Sequence, residues 1–377
     1  MDTTKNTDKR FQRLKITEIK IFKFDIPLKD VFQIATMSLT SANNVLIKIE
    51  TNEGISGWGE AAPFHALVGE TQGIDLAVAK ELKGFLIGKN PLELTHLIHS
   101  MDLFLPHNTT IKSAFDMALH DIAAKVADLP LYAFLGGKKR PIETDMTIGI
   151  CDPNEAGDKA LTLKQMGFKI IKVKLGLDFR SDYKRLQHIR QSVGQETILR
   201  IDANQGWDRM TAVHHLKAFE TFDIEFCEQP CRAHDWAGMK YVSQQTRIPI
   251  MADESLFSVH DALTLISQDI APYFNIKLSK SGGIQNAIKM SHIAEAGEIP
   301  CMLGCMSETK LGITAAAHVA MSSHAFKYFD LDSHLEHAEN AIAGGLDVTN
   351  GMITLPDEPG IGAHPMPEAV AQLEEIK

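Results

Sequence analysis

Cysteine is scarce. Five are spread over 377 residues, an odd number that supports no disulfide framework. That usage fits a reducing compartment, and a cytoplasmic location is the expectation. Cys227 and Cys231 lie close in sequence, as do Cys301 and Cys305, but each pair straddles a strand end at loose spacing, so structural zinc is not expected. No run approaches the roughly 18 apolar residues that a membrane-spanning helix needs. The first ten residues lack the apolar core of a secretory signal, and a polar tail over 1–14 is expected. Positive charge is also short: 38 Lys and Arg against 48 Asp and Glu leave a net charge of −10. This argues against nucleic acid and anionic membrane as partners. Low-complexity linkers are missing, so the two domains that this length suits should pack tightly.

What the chain does have is a repeated strand ending. Ile170-Ile171-Lys172-Val173-Lys174 reads as a strand closed by Leu175-Gly176, with Lys172 and Lys174 on one face and Ile171 and Val173 on the other. Two lysines on an otherwise buried strand are costly unless something pairs or uses them. Strand-like stretches that end in a polar residue recur downstream, at Asp202, Glu228, Asp253 and Lys277. With flanking examples near 147, 305 and 330 there are eight ends, spaced 24 to 28 residues apart. A period near 25 suits one strand, one helix and two short loops, and eight such units predict a TIM-like barrel over 140–333. In that fold the strand C-termini line one mouth. Barrel helices are predicted over 154–166, 183–193, 209–219, 259–267, 285–296 and 310–322.

The region 15–139 reads differently. Strands are expected at 16–24 and 44–49, a hairpin around Asn52-Glu53-Gly54, and helices over 73–86, 91–103 and 111–127. Between the strands, 26–43 is polar and without a period, so a loop is expected. A second irregular stretch begins at Ala61. These two stretches are the candidate lids of an α+β domain. The tail 334–377 should return to that domain.

Asp202, Glu228 and Asp253 come from three consecutive strand ends. For any one of them alone, an acidic helix cap or first-turn residue is the favoured reading. Three in succession, flanked by Lys174 on one side and Lys277 on the other, read as a hard-cation site for Mg²⁺ or Mn²⁺. Two amines on opposite sides of one metal suit proton removal next to a carboxylate, with the metal stabilising the enediolate. One amine removes the proton and the other returns it from behind, which gives an epimer. Lysine is a weak base at its usual pKa of about 10.4, so burial and nearby cations must lower it; Lys172 is such a neighbour.

Lys172-Val173-Lys174, Asp202-Ala203-Asn204-Gln205-Gly206-Trp207, Glu228-Gln229-Pro230, Ala252-Asp253-Glu254-Ser255 and Asn275-Ile276-Lys277-Leu278 together resemble the enolase superfamily, muconate-lactonizing subgroup. The resemblance spans nearly the whole chain. It implies a modified TIM-type (β/α)7β barrel with an α+β capping domain formed by the N-terminal region and the C-terminal tail. Closed homo-oligomers are common in such barrels. Phe329-Asp330-Leu331-Asp332 is similar to the Asp-x-Asp motif of dipeptide epimerases, where the pair holds the substrate's α-ammonium group. The stretch around Cys305-Met306-Ser307 is similar to the same enzymes. By that resemblance these three line the substrate backbone, while Thr147, Lys172 and Asn204 contact the substrate near its carboxylate. Lys174 is then the base for the (R) centre and Lys277 for the (S) centre.

One departure bears on specificity. Ala-Glu epimerases pair the glutamate side chain with an arginine on the first capping loop; here Met37 stands in that place. Glu336 and Glu339 add negative charge near the N-terminal side chain. An apolar or cationic dipeptide is therefore expected rather than Ala-Glu. The alternatives are N-succinylamino acid racemase or o-succinylbenzoate synthase, which Asp330 and Asp332 oppose by repelling an acyl carboxylate, and a barrel that only binds ligand, which the intact lysines and carboxylates oppose.

Overall fold

The computed structural model describes residues 13–377. Most of the expected polar tail lies outside the described residues; Leu14, at its end, is already buried. Strands β1 (Ile16–Gln33), β2 (Ser38–Thr51) and β3 (Ser56–Ala61) form an antiparallel sheet. The chain returns at its far end to pair Glu374 and Glu375 with β1.

Alternation gives this sheet two apolar faces. Ile19, Ile21, Val45 and Ile47 pack on helices Gln72–Leu86, Leu94–Phe104 and Thr109–Val126. Phe22, Phe24, Leu46 and Trp58, on the other face, join the core that continues into the barrel. The sheet therefore sits directly on the barrel. On the helix-covered face the approach is close: at Gly59 a Cβ would overlap the carbonyl oxygen of Ala114 on helix Thr109–Val126.

The segment 26–43 is not a loop. β1 and β2 keep pairing through Pro27↔Ser41, lose register, and resume at Phe32↔Leu39 and Gln33↔Ser38. The turn is closed by Ile34 N–H donating to Met37 O at 2.9 Å. Beyond Ile26 the ribbon leaves the sheet, so neither face is regularly buried and no period of two is written into the sequence. Its tip rests on the barrel: Ile150 N–H donates to Gln33 O at 2.8 Å, and Lys29 Nζ to Leu335 O at 2.7 Å.

After a short strand β4 (Ile142–Glu143) come eight parallel strands in sequential order: β5 (Met146–Ile148), β6 (Ile170–Lys174), β7 (Ile198–Asp202), β8 (Ile224–Glu228), β9 (Ile250–Ala252), β10 (Tyr273–Ile276), β11 (Cys301–Leu303) and β12 (Phe326–Phe329). Each ends within two residues of its expected position. The curled sheet has no regular ladder between β12 and β5. There, Asp145 N–H donates to Phe329 O at 3.2 Å and Leu331 N–H to Thr144 Oγ1 at 2.9 Å. The six expected helices are present, and Trp236–Gln245 is a further one between β8 and β9. It buries only Gly238, Met239 and Val242, too thin an apolar face to register as a periodic pattern.

Outward-facing Ile171, Val173, Leu199 and Ile201 pack under the helices. Inside, Phe226, Met251, Met302, Tyr273 and Tyr328 fill the lower barrel. Arg200 lies over Phe226 and Tyr328, with its guanidinium bonded to Asp145 at 2.8 Å and Glu225 at 2.7 Å. This plug closes the bottom. No helix among the described residues is long and apolar enough to cross a membrane.

Candidate active site

The period-two alternation of β6 aims Lys172 and Lys174 into the barrel, and that of β7, β8 and β10 aims Asp202, Glu228, Asn275 and Lys277 to the same mouth. Asp202, Glu228 and Asp253 are completely buried. Lysines interleave them. Lys172 Nζ lies 2.6 Å from Glu228 Oε2, 2.8 Å from Asp330 Oδ2 and 3.3 Å from Asp202 Oδ2. Lys174 Nζ is 2.6 Å from Asp202 Oδ2, and Lys277 Nζ is 2.9 Å from Asp253 Oδ2. Lys174 and Lys277 thus stand beyond opposite ends of the carboxylate row.

The three carboxylates suit a hard divalent cation. All their donors are oxygens and they sit on adjacent strands, with ammonium groups against them: Lys172 at Glu228 Oε2 and Lys280 at Asp253 Oδ1. Burial, reinforced by Asp202, pushes the Glu228 carboxyl up to about 7. Burial also works to lower the Lys277 amine, but the facing Asp253 and Glu228 carboxylates outweigh it and hold Lys277 above the usual lysine range. Among the described residues, the acid and thiol groups whose ligand atoms come within 4.8 Å as a trio are Cys305, Asp330 and Asp332. All five cysteines are free.

Above this floor is a cavity. Lys174, Lys277, Asn204, Thr147, Cys305, Met306, Ser307, Asp330, Asp332 and Glu336 line it from the barrel side. Leu28, Phe32, Ile34 and Leu39 of the hairpin, with Phe64 and Leu67 of the second irregular stretch, form an apolar roof. Lys172 lies beneath the cavity and does not line it. Met37 lies at the hairpin turn and lines a neighbouring groove with His65 and Thr71. Glu339 is exposed and off the cavity.

The Asp pair is built by a turn, since β12 ends at Phe329 and Asp332 begins a short 3-10 helix at Ser333–Glu336. Thr147 N–H donates to Asp332 Oδ2 at 2.7 Å, and the Cys305 thiol to Asp332 Oδ1 at 3.6 Å. Burial and the neighbouring Asp330 charge raise the Asp332 carboxyl to about 7. Asp330 is also buried, but Lys172, Lys174 and Lys277 pull it well below the usual carboxylate range.

Several supporting residues escaped the sequence reading. Lys280 is buried, donates to Asp253 O at 2.6 Å and Asn275 O at 3.0 Å, and also meets Asp253 Oδ1. Asn275 Nδ2 donates to Glu228 Oε1 at 2.7 Å. The Gln229 side chain accepts from Asp253 N–H at 2.9 Å and Ser255 N–H at 3.1 Å, pinning the loop after β9. Spacing held the signal for two of them. Asn275 shares the strand face of Lys277, and Lys280 follows Lys277 by one helical turn.

This frame, an α+β domain capping a parallel barrel with lysines and carboxylates at its strand ends, defines a class that direct comparison also finds. Residues 16–136 match the mandelate racemase / muconate lactonizing enzyme N-terminal domain, and 155–369 match the enolase C-terminal domain-like family. The chain belongs to the enolase superfamily. It is 40% identical to a D-Ala-D/L-Ala epimerase of Cytophaga hutchinsonii, over 96% of this chain and 99% of that one. The crystal structure of the dipeptide epimerase from that organism, complexed with Mg and D-Ala-L-Val, superposes with a TM-score of 0.95 over the same shares of the two chains. An L-Ala-D/L-Glu epimerase of Clostridium acetobutylicum is 37% identical over 92% of this chain and 98% of its own length. A hydrophobic dipeptide epimerase of Enterococcus faecalis is also 37% identical, over 93% of this chain and 99% of its own. The dipeptide epimerase structure from that organism, with Mg and L-Leu-L-Tyr, gives a TM-score of 0.90 at the same coverage.

Proposed function

We propose that this protein is a Mg²⁺-dependent dipeptide epimerase that inverts the α-carbon of the C-terminal residue. The observation that carries this reading is one cavity with two lysine amines at its floor and an aspartate pair at its side. Asp202, Glu228 and Asp253 would hold Mg²⁺, or Mn²⁺, which when bound neutralises the substrate carboxylate and the charge that develops on it. Asp330 and Asp332 receive the α-ammonium group, and Thr147 and Cys305 orient Asp332 for it. Lys174 takes the proton from an (R) centre and Lys277 returns one to the opposite face; the roles exchange for an (S) centre. The hairpin and Phe64 cover the reacting carbon and exclude water.

The roof supports a substrate class. Leu28, Phe32, Ile34 and Leu39 place aliphatic and aromatic carbon where the side chains of a dipeptide would lie, and no arginine lines the cavity. An acidic C-terminal side chain would be desolvated without a cationic partner. Apolar dipeptides are the preferred substrates, and Glu336 at the cavity edge tolerates a cationic N-terminal residue. An N-succinylamino acid would set its acyl carboxylate against Asp330 and Asp332.

The test is a dipeptide library incubated with protein and Mg²⁺ in D₂O and read by mass spectrometry. Each substrate gains one mass unit when its α-proton exchanges. Exchange led by apolar dipeptides is expected. Exchange led by Ala-Glu would overturn the specificity argument, and exchange with N-succinylamino acids alone would overturn the dipeptide reading.

A further inference from the structure

The capping sheet and the barrel share one fully buried carboxylate, Glu60 on β3. Its Oε1 accepts from Asn44 Nδ2 at 2.7 Å and Thr309 N–H at 2.8 Å. Its Oε2 accepts from Thr309 Oγ1 at 2.7 Å and Gly312 N–H at 3.0 Å. Both backbone donors belong to the start of helix Lys310–Ala320, whose positive end also favours the charge. Four donors to one carboxylate make a stiff joint, because each bond to an ionised acceptor is stronger than a neutral one.

Asn44 extends the joint to both walls of the cavity. The same Nδ2 donates to Ser307 O at 2.9 Å, holding the loop after β11 whose Cys305, Met306 and Ser307 line the cavity. The Asn44 carbonyl accepts from Gln72 Nε2 at 2.8 Å, and that amide also donates to Asp25 Oδ1 at 2.7 Å on β1. Leu39, five residues before Asn44 on β2, lines the cavity from the roof. Asn44 therefore ties β2 to the Cys305–Ser307 loop through its side chain, and to β1 through its main-chain carbonyl and the Gln72 amide.

We infer that Asn44 and Glu60 are positioning residues that couple the hairpin over the mouth to the Cys305–Ser307 loop, so that the two walls of the substrate cavity are set together. Neither residue lines the cavity or touches the carboxylate row. The inference rests on the dipeptide reading only for the substrate named in its test.

The experiment compares wild type with Asn44→Ala by amide hydrogen exchange and by steady-state kinetics on the best apolar dipeptide. Exchange in the hairpin, 28–39, and in 305–307 should speed up together, by about tenfold or more, while the barrel strands keep their protection. KM should rise by about tenfold with a smaller change in kcat, and Mg²⁺ affinity should stay within about twofold. A merely structural contact would lower the melting temperature and leave KM and hairpin exchange unchanged; that result overturns the coupling. Glu60→Gln supplies a second variant, since its NH₂ must face a backbone N–H donor, and the same paired loosening is expected. If wild type turns over no dipeptide, the functional reading fails, yet the exchange comparison still decides the coupling.

Discussion

Asp332 should make dipeptide binding depend on pH near neutrality. Burial and Asp330 hold its carboxyl at about 7, against an ordinary value of 3.8. An ammonium group is received by the carboxylate, so the protonated form is the weaker partner. About a tenth of Asp332 is ionised at pH 6 and about nine-tenths at pH 8, a span of about tenfold in affinity or ~1.4 kcal/mol. The substrate α-amino group loses its own proton above about 8, so affinity should fall again on that side. The expected profile is a bell with its maximum between about 7 and 8. The assay is kcat/KM for an apolar dipeptide from pH 5.5 to 9 at saturating Mg²⁺, with direct binding by calorimetry in two buffers to count released protons. Asp332→Asn should erase the acidic limb and weaken binding at pH 8 by about 1.5–3 kcal/mol, the range for a hydrogen bond to a charged group. A flat wild-type profile between pH 6 and 7.5, or an acidic limb that survives in Asp332→Asn, would refute the reasoning. The stability effect has the opposite sign. A raised folded-state pKa means the native protein holds this proton more tightly, so the contribution is present below 3.8 and is lost as pH rises through about 7.

Three further outcomes are expected. Lys277→Ala should lose inversion by about 10²–10⁴-fold yet still exchange the α-proton of the (R) substrate, and Lys174→Ala should do the reverse, as read by mass gain against optical rotation. Lys280→Met removes one of the two ammonium groups at Asp253 and the donor to two buried carbonyls, so it should cost about 3 kcal/mol in denaturant unfolding and weaken Mg²⁺ binding; unchanged metal affinity would remove Lys280 from the site's support. Gly59→Ala drives a methyl into the Ala114 carbonyl and should destabilise the protein by about 3 kcal/mol. A melting temperature equal to wild type would show that the helix backs away freely.

How much was legible in advance divides along the range of the interactions. The barrel strands end in residues whose polarity contrasts with the β-branched run before them, and a 25-residue period repeats that contrast, so their number and ends could be read. Lys174, Asp202, Glu228, Asp253 and Lys277 stood out for the same reason, since each is a charged residue where local pattern asks for an apolar one. The segment 26–43 has the sequence of a loop yet forms a hairpin, because its pairing is satisfied by cross-strand hydrogen bonds and its burial depends on what lies below it. Trp236–Gln245 was missed because its apolar face is three residues wide.

The sequence alone determined the architecture, the two amines and the acid row, because strand alternation converts residue identity directly into direction. Only the tertiary structure decided that Lys172 lies below the cavity while Lys174 and Lys277 line it. It also placed Met37 in a neighbouring groove, with Leu28, Phe32, Ile34 and Leu39 as the roof. Which side chain reaches a cavity assembled from β1, β2 and β12 depends on how two domains dock. That docking is set by contacts such as Asn44 to Ser307 and Glu60 to Thr309, between residues some 250 positions apart, a distance over which no local period carries information.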